Sequence, residues 1–310
     1  MSLNWLSGSD FANLFGISID QLPDVSERLI AGHDFSYRVP HGTGRDQIIL
    51  RILKKIHSSD ISITGYSKKA SWEQGWQENL ENFIESNYDP RQLVPKYFRP
   101  GEPIRLLGDW VMPSDPKFEF NFYSILTDWL FRTYLKEVDA IYEFGCGPGH
   151  NLVKLAELYP DKYLHGLEWV RAPKEIIHLL AKRYGYKMWG HFFDMFSPDD
   201  SLVVPPTSAF LAINSLEQLG ANFEAFLQFT LRKKPAIFVQ IDTFSELYDE
   251  DNLSDYLALL HNKRRKYLEG YLTRLYELEA SGYLNVIKVQ KVACGGLYHD
   301  GFSYVVWRPK

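Results

Sequence analysis

Ala140-Ile-Tyr-Glu-Phe-Gly145-Cys-Gly147-Pro-Gly149-His-Asn151 changes character halfway along. Its first five residues, apolar and aromatic around Glu143, read as a short strand, and Asn151 to Tyr159 continues as an amphipathic helix. Between them stand three alternate glycines. Glycine is wanted there because the chain must turn tightly and let a ligand approach without a Cβ in the way. The free N–H groups at the helix start then suit polar or anionic ligand atoms. A nicotinamide-dinucleotide fingerprint, Gly-x-Gly-x-x-Gly, needs glycine where this chain has His150, so the spacing excludes that reading.

Downstream the pattern alternates. Residues 163–168, 187–194, 208–214 and 236–242 read as strands, and 174–184 and 217–231 as helices. A long helix follows over 253–278, with Gly282 as its stop, and then strands over 285–292 and 302–307 joined by a loop holding Gly295, Gly296 and Gly301. Alternating strands and helices predict an α/β fold, a parallel sheet with helices on both faces. The closing strand–loop–strand pair is too tightly connected for a crossover, so the last strand is expected antiparallel. Upstream, 118–134 reads as a helix entering the sheet. Six of the 16 prolines fall between Asp89 and Pro116, which predicts a linker. Before it, Ile48, Ile52 and Ile56 mark one helix, and Ser71 with Gln74 fits a capping box for another through Trp72, Trp76, Leu80 and Phe83. The expected organisation is a mostly helical lid or substrate region over 1–117, with the linker at 89–116, and an α/β domain over 118–310. Deleting 1–88 is then expected to spare the sheet.

Composition narrows the classes. The 310 residues are 45% hydrophobic and 24% charged, which excludes wholesale disorder. No apolar run exceeds five residues, far short of the roughly 18 a membrane span needs, and no signal-peptide pattern opens the chain. A net charge of −5 argues against a general nucleic-acid binder. Two cysteines, Cys146 and Cys294, make neither a disulfide framework nor a four-cysteine metal site, and a reducing compartment, the cytoplasm, is the default. Aromatics reach 15%, enough to line a pocket for a flat or cationic ligand as well as to fill a core.

Glu143, Gly145, Gly147 and Gly149 match in full the acid-x-Gly-x-Gly-x-Gly motif of the class I S-adenosylmethionine-dependent methyltransferases, and from about residue 120 to 310 the chain resembles that family. In general shape it is similar to bacterial small-molecule and sugar methyltransferases. The resemblance implies a Rossmann-like, seven-stranded, mostly parallel sheet with an antiparallel last strand. It also implies S-adenosylmethionine as cofactor and S-adenosylhomocysteine as product. The glycine loop with Cys146 and Asn151 would hold the cofactor. Glu168, 19 residues after Gly149, stands where the family binds both ribose hydroxyls. A carboxylate can accept two hydrogen bonds from a cis-diol, which is why an acid is wanted. Asp194, with Met195 and the neighbouring phenylalanines, stands where the family holds adenine, and Trp169 would cover the ring's other face. Asn214 falls on the methionine side.

Ligands of such sheets lie beyond the carboxyl ends of the strands. That rule selects 214–218, Asp242 with Thr243, and the Cys294–Gly301 loop. His299 beside Asp300 is a candidate base for a hydroxyl acceptor, against the plainer reading of a surface-turn histidine. Glu217 is either a second base or an acid favoured by the dipole of a helix start. Trp72, Trp76, Asp242 and Tyr298 are candidate substrate contacts. No His-Glu-x-x-His or Cys-x-x-Cys motif is present, so no metal is expected. His150 is expected at a helix start, while His165, His178, His191 and His261 carry no pattern. The basic run His261–Lys266 reads as a solvated helix face. Methyl transfer to a hydroxyl of a sugar or other metabolite is the expected function. An RNA methyltransferase using that basic helix and a non-catalytic cofactor-binding protein are the alternatives.

Overall fold

The computed structural model describes residues 2–310. The N-terminal part runs β1 (Asn4–Trp5), α1 (Gly8–Phe15), α2 (Asp24–Ala31), β2 (Ser36–Arg38), α3 (Thr43–Ile56), α4 (Lys69–Glu85), β3 (Ile104–Leu106) and β4 (Asp109–Pro113). Then come α5 (Phe118–Tyr134), β5 (Ala140–Phe144), α6 (His150–Leu158), β6 (Tyr163–Glu168), α7 (Ala172–Tyr184), β7 (Met188–Phe192) and β8 (Ser208–Ile213). The chain ends with α8 (Glu224–Lys233), β9 (Ile237–Asp242), α9 (Leu253–Arg265), α10 (Tyr271–Ala280), β10 (Leu284–Gln290), β11 (Cys294–Gly295) and β12 (Ser303–Pro309).

Seven strands form the main sheet in the order β10-β12-β9-β8-β5-β6-β7. β5, β6, β7, β8 and β9 pair in parallel, and β12 inserts antiparallel between β9 and β10. The expected fold class is therefore observed. β5 and β8 are buried along their whole length, as unbroken apolar strands of a doubly covered sheet should be. One face carries α5, α6 and α7 through Leu126, Leu152 and Ile177, and the other carries α8 and α10 through Phe226 and Leu272. Among the described residues no helix is long and apolar enough to cross a membrane.

Four local expectations are corrected. The long helix over 253–278 is two helices, because Lys266 and Gly270 both turn left-handed at φ +57° and +78°. Their apolar faces go to different places: Leu257 of α9 packs with Ile48, Ile52 and Ile56 of α3, while Leu272 and Leu275 of α10 face the sheet. The helix expected over 217–231 begins only at Glu224, after a short 3-10 turn over Leu216–Leu219. The Ser71–Gln74 capping box does not form, since α4 starts at Lys69 as the continuation of a 3-10 turn over Tyr66–Lys68.

The fourth correction concerns the N-terminal region, which is not only helical. Its proline-rich stretch contains the β3–β4 hairpin, part of a second sheet ordered β1-β2-β4-β3-β11. The hairpin turns on Leu107 and Gly108, both at positive φ (53° and 83°), the geometry of a two-residue primed turn. Because β11 belongs to the last loop of the chain, this sheet joins the two ends of the sequence. Phe11, Phe15 and Phe83 lie in the same core cluster as Phe122 and Leu152, so the core runs across residue 117 without a break.

Candidate functional site

The glycine loop leaves β5 with Gly145, Gly147 and Gly149 at φ +67°, +50° and +78°. Two of these glycines leave no room for a side chain: an added Cβ would lie 2.4 Å from Ser215 Cβ at Gly145 and 2.9 Å from the Trp76 ring at Gly147. Gly149 caps α6 and lets it pack close to Ile177 of α7. Glu168, at the end of β6, turns its carboxylate back to the loop. One oxygen accepts from Gly147 N (3.2 Å) and the other from Trp169 N (2.8 Å). Burial pushes this carboxyl up to about 7, against those two hydrogen bonds.

Beneath the loop, Asn151 Nδ2 donates to Glu143 (2.7 Å) and Tyr123 OH donates to Asn151 Oδ1 (2.6 Å). The second oxygen of Glu143 is buried without a partner, and desolvation lifts this carboxyl to about 8. Glu143 and Asn151 thus shape the loop from below. The Cys146 side chain is buried and turned toward Gly166.

Six of the residues singled out for the cofactor, Gly145, Glu168, Trp169, Asp194, Met195 and Asn214, do border one cavity, of about 60 Å3. Two side chains from the N-terminal region, Trp72 and Trp76, also border it. Tyr66 packs against Phe196 (centroids 4.6 Å apart) and Trp169 (5.8 Å), which also touch each other (5.7 Å), and its hydroxyl donates to Asp194 Oδ2 at 3.0 Å. Trp76 covers Gly147 and stacks on Trp72 at 5.4 Å. Glu73 accepts from Arg171 N (3.2 Å), tying α4 to the start of α7.

Asn214, Gln218 and Trp72 also border a second cavity of about 520 Å3. Asn214 is held at φ +48°, an uncommon conformation for a residue with a side chain, at the junction of the two spaces. The second cavity brings together Glu217, Tyr298 and His299 and adds Tyr97, Glu119 and His261. His299 stacks on His261 (5.6 Å), which stacks on Tyr298 (4.8 Å). Burial and the charges of Arg105 and Arg265 hold His299 well below the usual imidazole range, and its Nδ1 has no partner. His299 is therefore a neutral ring at pH 7 with a free nitrogen. Glu217 is pushed up to about 7 by desolvation.

Three placements differ from the sequence reading. Asp300 does not pair with His299: its carboxylate is bound by buried Arg105 (2.8 and 3.3 Å), which also reaches Asp255 at 2.7 Å. Asp242 is fully buried behind the cavities, accepting from Glu217 N (3.1 Å) and Thr243 N (2.8 Å), so it supports the 214–218 turn and does not face a substrate. Trp76 belongs to the first cavity rather than the second, and of the two tryptophans Trp72 alone borders both. His261, read as patternless, is 2% exposed and walls the second cavity. Its burial has no signal in the sequence, where the neighbouring Lys263, Arg264 and Lys266 mark a solvated face. His165 and His191 hydrogen-bond each other at 2.9 Å across β6 and β7, away from both cavities.

No protein-family model matches the chain, and no curated protein matches it. Among solved structures the chain is similar to human N-acetylserotonin methyltransferase bound to S-adenosylmethionine, at 13% identity and TM-score 0.40 over 62% of this chain. It spans 56% of that enzyme's length. Geranyl diphosphate C-methyltransferase from Streptomyces coelicolor A3(2), bound to S-adenosyl-L-homocysteine, matches at 12% identity and TM-score 0.47, over 74% of this chain and 97% of the other. A cyclase, SpnF, matches at 13% identity and TM-score 0.48, over 81% and 97%.

Proposed function

We propose that the chain transfers a methyl group from S-adenosylmethionine to a small-molecule acceptor, a hydroxyl of a sugar or other metabolite. What carries the reading is one convergence. The glycine loop after β5, Glu168 at the end of β6 and Asp194 after β7 meet at a single cavity that shares Trp72, Asn214 and Gln218 with a larger one.

The residues fit that cofactor. Each Glu168 oxygen accepts one backbone hydrogen bond and keeps a lone pair for a ribose hydroxyl. Asp194, beside two aromatic rings, already takes a donor from a flat ring, which is the contact an adenine amino group would make. The glycine cradle has no room for side chains. When bound, the cofactor supplies a reactive sulfonium methyl. The chain's part is to hold the acceptor in line, exclude water and take up a proton. Alignment and exclusion contribute up to about 7–11 kcal/mol in well-oriented systems. Two groups suit the proton: Glu217, whose carboxyl is lifted by burial to about 7, and His299, whose Nδ1 has no partner but which burial holds well below the usual imidazole range, so that it is the weaker base.

Residues 1–117 supply the lid in this reading, through α4 and the turn before it. Tyr66 takes the contacts assigned to adenine, and at 55% exposed it is held by little beyond that seat. Cofactor entry then requires Tyr66 to leave its seat.

Calorimetry tests the reading. S-adenosylmethionine and S-adenosylhomocysteine are expected to bind at micromolar levels and NAD not at all; binding of NAD alone would overturn it. Incubating metabolite extracts with labelled cofactor, then identifying the labelled product by mass spectrometry, finds the acceptor. Cofactor binding without turnover on any acceptor would point to a binding protein, and labelling of RNA to a nucleic-acid substrate.

A further inference from the structure

We propose that the acceptor carries a phosphoryl or diphosphoryl group, seated between Lys55 and Arg265 at the mouth of the second cavity, with Lys68 beside them. This rests on the methyl-transfer reading of the same site and adds the substrate's charge to it.

The chain is acidic, with 34 basic side chains against 39 acidic ones, yet this mouth gathers cations. Arg51 and Lys55, one helical turn apart on α3, meet Arg265 from the last turn of α9 and Arg99 from the segment before β3. Arg51 is neutralised by Glu102 at 2.5 Å, and Arg99 lies near the same carboxylate. Among the described residues, Lys55 and Arg265 have no ion pair, and Arg265 Nε is buried without any hydrogen-bond partner. Lys68 stands close enough that burial and the charges of Arg265 and Lys55 pull its ammonium below the usual lysine range. Mutually repelling cations at the rim of a cavity weaken a fold unless an anion joins them.

The carboxylates of the same cavity do not serve. Glu217 feels the Arg265 charge, but desolvation keeps it near 7, and Glu119 is likewise lifted to about 7. The cofactor's own carboxylate is the other anion these cations suit, and the separate S-adenosylhomocysteine titration of the Lys55 and Arg265 variants distinguishes it from a phosphate.

The seat is rigid. α3 and α9 are locked through Ile48, Ile52, Ile56 and Leu257. The Arg265 guanidinium lies 4.7 Å from the Tyr267 ring centroid, and Thr64 N donates to Arg265 O at 3.0 Å. A guanidinium held in place matches the geometry of phosphate oxygens, and a lysine adds a point charge. With His299 and Glu217 deeper in the 520 Å3 space, an acceptor would enter hydroxyl first and leave its phosphate at the mouth. The cavity's size favours a small metabolite over a polymer.

Inorganic pyrophosphate is the probe, titrated by calorimetry at low salt into the full chain, with S-adenosylhomocysteine titrated separately. Wild-type protein is expected to bind pyrophosphate at micromolar to low millimolar levels. Lys55→Gln and Arg265→Gln should each weaken that binding at least tenfold while leaving S-adenosylhomocysteine affinity within twofold. Lys55→Gln keeps the test open if Arg265→Gln, whose Nε is buried in the wild type, folds poorly. S-adenosylhomocysteine binding without pyrophosphate binding would overturn the phosphate seat and leave methyl transfer standing; the reverse result would overturn methyl transfer itself. Malonate binding as tightly as pyrophosphate, or oligonucleotide binding that tightens with length, would overturn the assignment to a small phosphorylated acceptor.

Discussion

Glu143 shows how much of the site is set by where single carboxyls are buried. Its pKa stands at about 8 in the fold, against 4.5 for a free glutamate, because one oxygen is buried without a partner. A raised native value means that the folded state holds its proton while the unfolded chain releases it. Stability from this group is full below about pH 4.5 and is lost as the pH rises toward 8. Histidines 150 and 261, lowered to about 4 by desolvation, act in the opposite direction, losing stability as the pH falls from 6.5 to 4. Glu143→Gln removes the acid and keeps an oxygen for Asn151 Nδ2. The variant should therefore be more stable than wild type at pH 8.5, on the order of a few kcal/mol or several degrees in Tm, and nearly equal at pH 5. Thermal melts at the two pH values decide it, and a constant offset between the proteins would show that Glu143 ionises normally.

At the scale of elements, the parts that were legible in sequence are those whose residues must be neighbours in the chain. A strand, three glycines and a helix start can be read together because the turn that joins them is local, and Glu168 and Asp194 follow because each ends a strand or the turn after it. What stayed hidden is built from distant pieces. The β3–β4 hairpin places Leu107 where Asn, Asp or Gly is usual, so no turn signal marks it; its N–H is instead satisfied by Ala293 O at 2.8 Å. The cavity cations come from positions 51 and 55 on α3 and from 99 and 265, far apart in the chain. Arg105 gives no signal either, yet it is 1% exposed and binds Asp300, Asp255 and the Ser254 carbonyl. It clamps β3 to α9 and to the loop that carries Tyr298 and His299. Arg105→Ala leaves two buried aspartates without their guanidinium, and should cost about 3–5 kcal/mol. Denaturant unfolding gives the number, and hydrogen exchange over 294–301 should rise with it. A loss under about 1 kcal/mol with unchanged exchange would mean that the clamp is ornamental to that loop.

For the whole molecule, the consequence of one continuous core is that the N-terminal region cannot be detached as a lid alone. Phe11 stacks on Phe122 at 5.1 Å and Phe15 on Trp129 at 5.1 Å, both on α5, which also packs on the main sheet. Tyr304 of β12 donates its hydroxyl to Phe15 O at 2.7 Å, and Lys288 of β10 donates to Gly16 O at 2.8 Å. The expectation that removing residues 1–88 would spare the sheet is therefore replaced by its opposite. Burying a large apolar side chain is worth about 1.5–3 kcal/mol. Phe11, Leu14, Phe15 and Phe35 alone then carry about 6–12 kcal/mol, as much as the net stability of a typical domain. A chain of residues 89–310 should show no cooperative melt and should bind a hydrophobic dye, where the full chain melts in one step. A cooperative transition within a few degrees of the full chain would restore two separable domains. The loss has a functional side as well, because α4 carries Trp72 and Trp76 to the cavities while Trp76, Leu80 and Phe83 anchor it in this same core. The wall of the site and the support of the fold are one element, so the lid motion proposed for cofactor entry belongs to Tyr66 and the turn before α4, where exposure is high, and not to the helix behind it.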